Sequence, residues 1–98
     1  MIKSLTLFPK SIRPEKLDEI ISKLTLDLKG ADGLIEITSS DGHLMSPAGP
    51  PPYSRVIEAS WESLEVFLAW AQSSARQEDK DFLLQSGAVL LYYEQKSL

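Results

Sequence analysis

The sequence contains no cysteine and only one histidine among its 98 residues. The absence of cysteine excludes disulfides, thiol catalysis and cysteine-ligated metals. One histidine alone cannot provide the roughly three protein ligands of a typical zinc or iron site, so no metal is expected. No glycine-rich phosphate loop or dinucleotide-binding motif is present, so no nucleotide cofactor is expected either.

Long apolar runs and clusters of basic residues are also missing. No segment approaches the roughly 18 apolar residues of a membrane span, and the N-terminal "MIKSL" lacks the features of a signal peptide. The ten Lys and Arg residues are scattered and the net charge is −4, which argues against binding to nucleic acid or to an anionic membrane. We expect a single soluble, cytoplasmic domain over residues 1–98.

Apolar periodicity predicts four strands and two helices. The predicted strands cover residues 2–8, 34–38, 54–61 and 88–94, and the predicted helices cover about 14–29 and 63–75. The first helix carries one apolar stripe of Leu17, Ile20, Ile21, Leu24 and Leu28, and Gly30 is a plausible cap. The charged segment "RQEDK" (76–80) is predicted to be a solvated turn, followed by one short helical turn in "DFLLQ" (81–85).

The order β-α-β-β-α-β is that of an α+β, ferredoxin-like monomer with a four-stranded antiparallel sheet. Right-handed crossovers place both predicted helices on one face of this sheet. The first and last strands nevertheless have apolar residues on both faces, so one apolar face would remain uncovered. The pattern therefore predicts that a second copy covers it, as a homodimer through the sheet face.

Three segments resemble the ethyl tert-butyl ether degradation (EthD)-like family of dimeric α+β barrel proteins. They are "MIKSLTLFP", "GPPPYSRVIEASWESLEVFLAW" and "GAVLLYYE", which together span most of the predicted strands and the second helix. The resemblance implies a homodimeric barrel with a small-molecule cavity between sheet and helices in each monomer. It also implies chemistry of the superfamily's cofactor-free oxidoreductase or isomerase type on a small apolar or aromatic molecule. The alternative is a non-catalytic ligand-binding or structural homodimer that retains only the fold.

The chain departs from the family at one informative position. Many members carry a histidine just after the first helix, whereas residues 22–29 read "SKLTLDLK" and contain none. Any acid–base role of that histidine therefore cannot be carried over to this chain.

Three residues are candidates for proton transfer. His43 has a side chain whose ordinary pKa lies near neutrality, although a solvent-exposed loop residue is the alternative interpretation. Tyr53 follows the proline run "GPPP", which cannot continue a sheet ladder but can stiffen a loop that positions this tyrosine. Glu58 lies in the middle of a strand, where burial would suit its carboxylate to proton transfer; a cross-strand ion pair is the alternative.

Aromatic residues are the candidates for ligand binding. They are Tyr53, Trp61, Phe67, Trp70 and Tyr92. For Trp61 and Phe67 the competing interpretation is a place in the core or in the dimer interface. Tyr92 and Tyr93 are adjacent in a strand and therefore point to opposite faces, so at most one of them shares a given cavity.

Overall fold

The computed structural model describes residues 1–40 and 44–98. Its elements are β1 Ile2–Pro9, α1 Pro14–Lys29, β2 Leu34–Ser39, β3 Tyr53–Trp61, α2 Leu64–Ala71, α3 Ser74–Gln85 and β4 Val89–Glu94. The strands form one antiparallel sheet in the order β2-β3-β1-β4. The ferredoxin-like α+β fold is thus confirmed, with one more helix than predicted. Within the described ranges, no helix is long and apolar enough to cross a membrane.

The strand register divides the sheet into two faces. Ser4 lies between Ala59 of β3 and Tyr92 of β4, and Thr6 lies between Ile57 and Leu90. This inner face packs against the helices, and the buried core comprises Ile2, Phe8, Ile57, Ala59 and Trp61 of the sheet with Leu17, Leu24, Leu28, Phe67 and Leu83 of the helices, together with Ala88. The opposite, outer face carries Leu5 between Glu58 and Leu91. Alternation with period two fixes both faces at once.

Helix α1 begins and ends where the sequence predicts. Pro14 occupies the first turn, where its missing N–H removes no helical hydrogen bond, and Glu15 lies near the positive end of the helix dipole. Leu17, Leu24 and Leu28 are buried along one stripe. Gly30 caps the helix by donating its N–H to the carbonyl of Leu28.

The predicted charged turn at residues 76–80 is wrong. These residues lie inside α3, and the second predicted helix correspondingly ends earlier, at Ala71. Arg76, Asp79 and Leu83 are spaced as i, i+3 and i+7, and each is at most 8% exposed. The buried stripe of α3 therefore contains two charged residues, so apolar periodicity does not reveal it. Ser73 starts the helix by accepting a hydrogen bond from the backbone N–H of Arg76 at 3.3 Å.

The proline run leads directly into β3. This strand begins at Tyr53, immediately after Pro52, whose carbonyl accepts a hydrogen bond from the backbone N–H of Lys10 at 3.1 Å. That bond ties the end of the run to the segment following β1. The three prolines themselves donate no backbone hydrogen bond, so they join no ladder and hold the chain close to one conformation until the strand starts.

Candidate functional site

A cavity of about 330 Å³ lies between the inner face of the sheet and the helices. Its walls come from the inner face of the sheet (Ser4, Thr6, Ile57, Ala59, Leu90, Tyr92), from α1 (Leu24, Leu28), from α2 (Phe67, Leu68, Trp70, Ala71) and from α3 (Arg76, Lys80, Leu84). Leu5 and Leu91 also border it, although they alternate with these inner positions and belong to the outer face. The lining is mostly apolar with a few polar groups, which is the usual composition of a small-molecule site.

Four aromatic side chains form a cluster at this cavity, named here the aromatic cluster: Trp61, Phe67, Trp70 and Tyr92. The ring centroids of Phe67 and Tyr92 are 4.9 Å apart, and those of Trp61 and Trp70 are 5.1 Å apart. Phe67 also meets the edge of Trp61 at 5.5 Å. These separations are typical of contacting aromatic pairs. Four of the five predicted ligand-binding residues are therefore brought together.

The members of the aromatic cluster differ in their relation to the cavity. Phe67, Trp70 and Tyr92 line it directly, whereas Trp61 is fully buried behind them. Trp61 is held in place by its indole Nε1–H, which donates to the Ser4 hydroxyl oxygen at 3.0 Å. Trp61 thus supports Phe67 and Trp70, which pack against its ring. Tyr92 is 57% exposed and lies at the open side of the site.

Two cations from α3 complete the lining. Arg76 and Lys80 are one helical turn apart and both line the cavity. The Arg76 guanidinium carbon lies 4.5 Å from the centroid of the Trp70 ring, a cation–π contact. Burial lowers the pKa of Arg76, and the charges of Asp79 and Asp27 oppose this shift. An arginine nonetheless stays protonated in a protein, so the cavity wall carries a permanent positive charge.

A polar network connects α1 and α3 beside the cavity. Lys23 donates a hydrogen bond from Nζ to Asp79 Oδ1 at 2.6 Å. A hydrogen bond to Asp79 raises the pKa of Asp27, and desolvation adds to this shift. Burial acts to raise the pKa of Asp79, but hydrogen bonds from Asp27 and Lys23, with the charges of Lys23 and Arg76, hold it below its ordinary value. The pKa values of the two neighbouring carboxyl groups are therefore shifted in opposite directions, that of Asp27 upwards and that of Asp79 downwards.

Two of the three predicted catalytic residues, Tyr53 and Glu58, lie elsewhere. Glu58 is on the outer face, where its Oε1 lies 3.0 Å from Lys3 Nζ in a cross-strand ion pair. Tyr53 begins β3 opposite Pro9, at the far end of the strand from Trp61. Neither residue is among the described residues that line the cavity. His43 lies outside the described residues.

Across residues 1–40 and 44–98, no three His, Asp or Glu side chains are grouped so that they could hold a metal ion. A second groove of about 320 Å³ runs between α1 and α3, rimmed by Lys16, Glu19, Lys23 and Glu78. None of the predicted site residues that the structure describes lines this groove, so the cavity under the sheet is the candidate site.

Sequence reasoning missed Arg76 and Lys80 as lining residues. Both lie in the segment that was predicted to be a solvated turn, and only a helix brings them to the cavity wall. Their spacing with Leu84, at i, i+4 and i+8, was the available signal. So was the composition of the segment "RQEDK", since four of its five residues (Arg, Gln, Glu and Lys) have high helix propensity.

Comparison with known proteins places the fold. No protein-family model matches the chain, and no curated protein matches it. Solved structures, in contrast, do match the chain. An EthD family protein from Bacillus halodurans is 18% identical with a TM-score of 0.73, covering 98% of this chain and 99% of its own. SnoaB from Streptomyces nogalater, a cofactor-independent oxygenase, is 12% identical with a TM-score of 0.73, covering 99% and 94%.

A third structure is a dimeric ferredoxin-like protein of unknown function from Thermobifida fusca. It is 12% identical to this chain with a TM-score of 0.71, covering 96% of this chain and 90% of its own. At these identities the likeness concerns the fold, and one fold supports several chemistries. The expected EthD resemblance is therefore supported by structure: the chain has the ferredoxin-like fold of an EthD family protein, with a cavity between its sheet and its helices.

Proposed function

We propose that the protein binds a small apolar or aromatic molecule in the cavity under the sheet. The observation that carries this proposal is the cavity itself, about 330 Å³ in volume and walled by Phe67, Trp70 and Tyr92. Aromatic walls bind apolar rings through burial of apolar surface and through offset or edge contacts. Trp61 supports this wall from behind, so the binding surface is preorganised.

The test is titration with a neutral aromatic probe, 1-naphthamide, by isothermal titration calorimetry and by ¹H–¹⁵N NMR. The chain has two tryptophans, and their indole N–H resonances report on the site. We expect saturable binding that shifts the Trp70 resonance, because this ring lines the cavity, and that moves the Trp61 resonance less, because Trp61 is fully buried. Absence of saturable binding would contradict the proposal.

A matched pair of variants locates the binding. Ala71 lines the cavity, whereas Ala69 on the same helix is exposed and does not. Ala71→Phe fills the cavity and is expected to weaken 1-naphthamide binding by about tenfold or more, a loss on the order of 1.4 kcal/mol. Ala69→Phe makes the same change in composition and is expected to leave binding unaffected. Equal effects of the two substitutions would place the binding elsewhere.

The proposal includes a homodimer that forms through the outer face of the sheet. Six apolar side chains share this face: Leu5, Leu7, Val56, Val89, Leu91 and Tyr93. Leu91 is 51% exposed and Tyr93 is 45% exposed in the isolated chain. An apolar strip across three adjacent strands is what an isologous sheet-to-sheet contact requires. The dimeric protein of the same fold supports this assembly.

Cofactor-free oxidation or isomerisation of the bound molecule is the second candidate, favoured by the fold shared with a cofactor-independent oxygenase. His43 is the near-neutral base proposed for it, and Tyr53 and Glu58 are the other proposed proton carriers. Glu58 already pairs with Lys3 on the opposite face of the sheet, which favours binding without turnover. Oxygen consumption on mixing with the bound aromatic compound, abolished by His43→Ala, would favour catalysis instead.

A further inference from the structure

Arg76 is a buried cation in a mostly apolar cavity. Its side chain is 8% exposed and lines the cavity together with Lys80. None of the described residues that line the cavity carries a carboxylate. This positive wall is unusual for a chain whose net charge is −4, and it sets the charge that a bound molecule encounters.

The guanidinium of Arg76 is incompletely satisfied. Its Nη1 is buried without a hydrogen-bond partner in the described part of the chain. The ring of Trp70 contacts one face of the guanidinium but accepts no in-plane N–H bond. A buried N–H donor without a partner lowers the stability of the fold. A guanidinium has five N–H donors in a rigid, planar arrangement, so a ligand with suitably placed acceptors can satisfy them.

The neighbouring acids do not supply the missing partner. Asp79 Oδ1 accepts the hydrogen bond of Lys23 at 2.6 Å, whereas Asp27 Oδ2 and Asp79 Oδ2 are themselves buried without a hydrogen-bond partner in the described part of the chain. Among the described residues, the ion pairs that form are Lys3–Glu58, Lys16–Glu19 and Lys23–Asp79, and none includes Arg76. The two aspartates act on Arg76 through their charge, and its Nη1 has no hydrogen-bond partner among the described residues.

We propose that the ligand of this cavity is a mono- or bicyclic aromatic carboxylate, whose carboxylate is bound by Arg76 while its ring packs against Phe67, Trp70 and Tyr92. This inference rests on the proposed function and adds the charge and the anchoring group of the ligand. The guanidinium fork matches a carboxylate in a bidentate arrangement, and such charge-assisted bonds are about twice as strong as neutral ones. Lys80 adds positive potential one turn further along α3.

The experiment compares 1-naphthoate with 1-naphthamide, which has nearly the same shape and no charge. Calorimetry on the wild-type chain is expected to give about tenfold or more tighter binding of the acid. Arg76→Met retains a side chain that packs on Trp70, and it is expected to abolish this preference while 1-naphthamide still binds. Lys29→Met lies outside the cavity, removes the same charge, and is expected to retain the preference.

If the wild-type chain binds the amide as tightly as the acid, the anionic ligand is contradicted while the proposed function stands. The same holds if Arg76→Met, folded by circular dichroism, still prefers the acid. If neither compound binds, the proposed function fails and this inference fails with it. The wild-type comparison needs no variant, so it decides the matter even if Arg76→Met does not fold.

Discussion

Lys23 of α1 and Asp79 of α3 are joined by a hydrogen bond of 2.6 Å between Nζ and Oδ1, and they differ sharply in exposure. The Lys23 side chain is 63% exposed, whereas that of Asp79 is 8% exposed. The carboxylate is therefore the buried member, and the lysine reaches it from the surface. Removing the buried member of such a pair leaves Arg76 with less compensating charge, so the two partners are not equivalent.

The first prediction follows from this asymmetry. Asp79→Ala is expected to lower the free energy of unfolding by about 2 kcal/mol, because it removes a buried hydrogen-bonded carboxylate beside a buried guanidinium. Lys23→Met is expected to cause a smaller loss, since water can replace an exposed ammonium group. Urea unfolding of both single variants and of the double variant measures this. A double variant that loses the full sum of both effects would contradict the coupling of the pair.

The second prediction concerns Asp27 and pH. A hydrogen bond to Asp79 raises the folded-state pKa of Asp27 above its ordinary value of 3.8. The stabilisation that protonated Asp27 contributes is therefore complete below pH 3.8, and it is lost as the pH rises through the raised pKa of Asp27. Asp79 acts in the opposite sense: its pKa is lowered, so its stabilisation is present above 3.8 and is lost as the pH falls through the lowered value.

Asp27→Asn keeps a hydrogen-bond donor for Asp79 at every pH. We expect this variant to gain stability relative to the wild-type chain as the pH rises, because only the wild-type chain develops two adjacent carboxylates. Urea unfolding of both proteins at several values between about pH 4 and pH 7 measures the difference. A difference in unfolding free energy that does not change with pH would contradict the opposite pKa shifts of the two aspartates.

How far the sequence determines this structure is clearest in two segments. Helix α1 and the strands were predicted because their buried positions are apolar and follow one period, as with Leu17, Leu24 and Leu28. Helix α3 was not predicted, because the charged residues Arg76 and Asp79 occupy its buried stripe. A buried charge is indistinguishable from a solvated one in a sequence, since only the tertiary neighbours Lys23, Asp27 and Trp70 make its burial tolerable.

The same distinction between apolar and charged residues applies to the candidate site. The aromatic cluster could be predicted in part, because aromatic side chains of the inner sheet face (Trp61, Tyr92) and of the helix that packs on it (Phe67, Trp70) are brought together once the strand order is known. The positively charged part of the lining could not be predicted, since Arg76 and Lys80 reach the cavity only because they lie in α3. The sequence alone is consistent with either proton transfer or an ion pair at Glu58, because no local pattern encodes the strand register that brings Lys3 within reach of it.

The third prediction concerns Gly33, which precedes β2. Its φ of +82° is unfavourable for other residues, and a Cβ there would lie 2.6 Å from the side chain of Val66. Gly33→Ala is therefore expected to destabilise the fold by about 2 kcal/mol from backbone strain and overpacking together. Gly30→Ala is the matched control, because the φ of Gly30 is −85° and the nearest atom is 3.8 Å away. Thermal unfolding compares them, and equal melting temperatures would contradict the close approach of Gly33 to α2.

The last prediction tests the homodimer. Leu91 and Leu26 are both exposed leucines, at 51% and 73%, but Leu91 lies on the outer sheet face and Leu26 lies on α1. Leu91→Lys would place a charge in the proposed contact, and the twofold symmetry of the dimer would bury the same charge from the partner copy. We expect sedimentation equilibrium to show a wild-type dimer, a largely monomeric Leu91→Lys variant and a dimeric Leu26→Lys variant. A wild-type monomer at micromolar concentration would contradict the dimer outright, and dissociation by both substitutions would trace the effect to net charge instead of to the outer face.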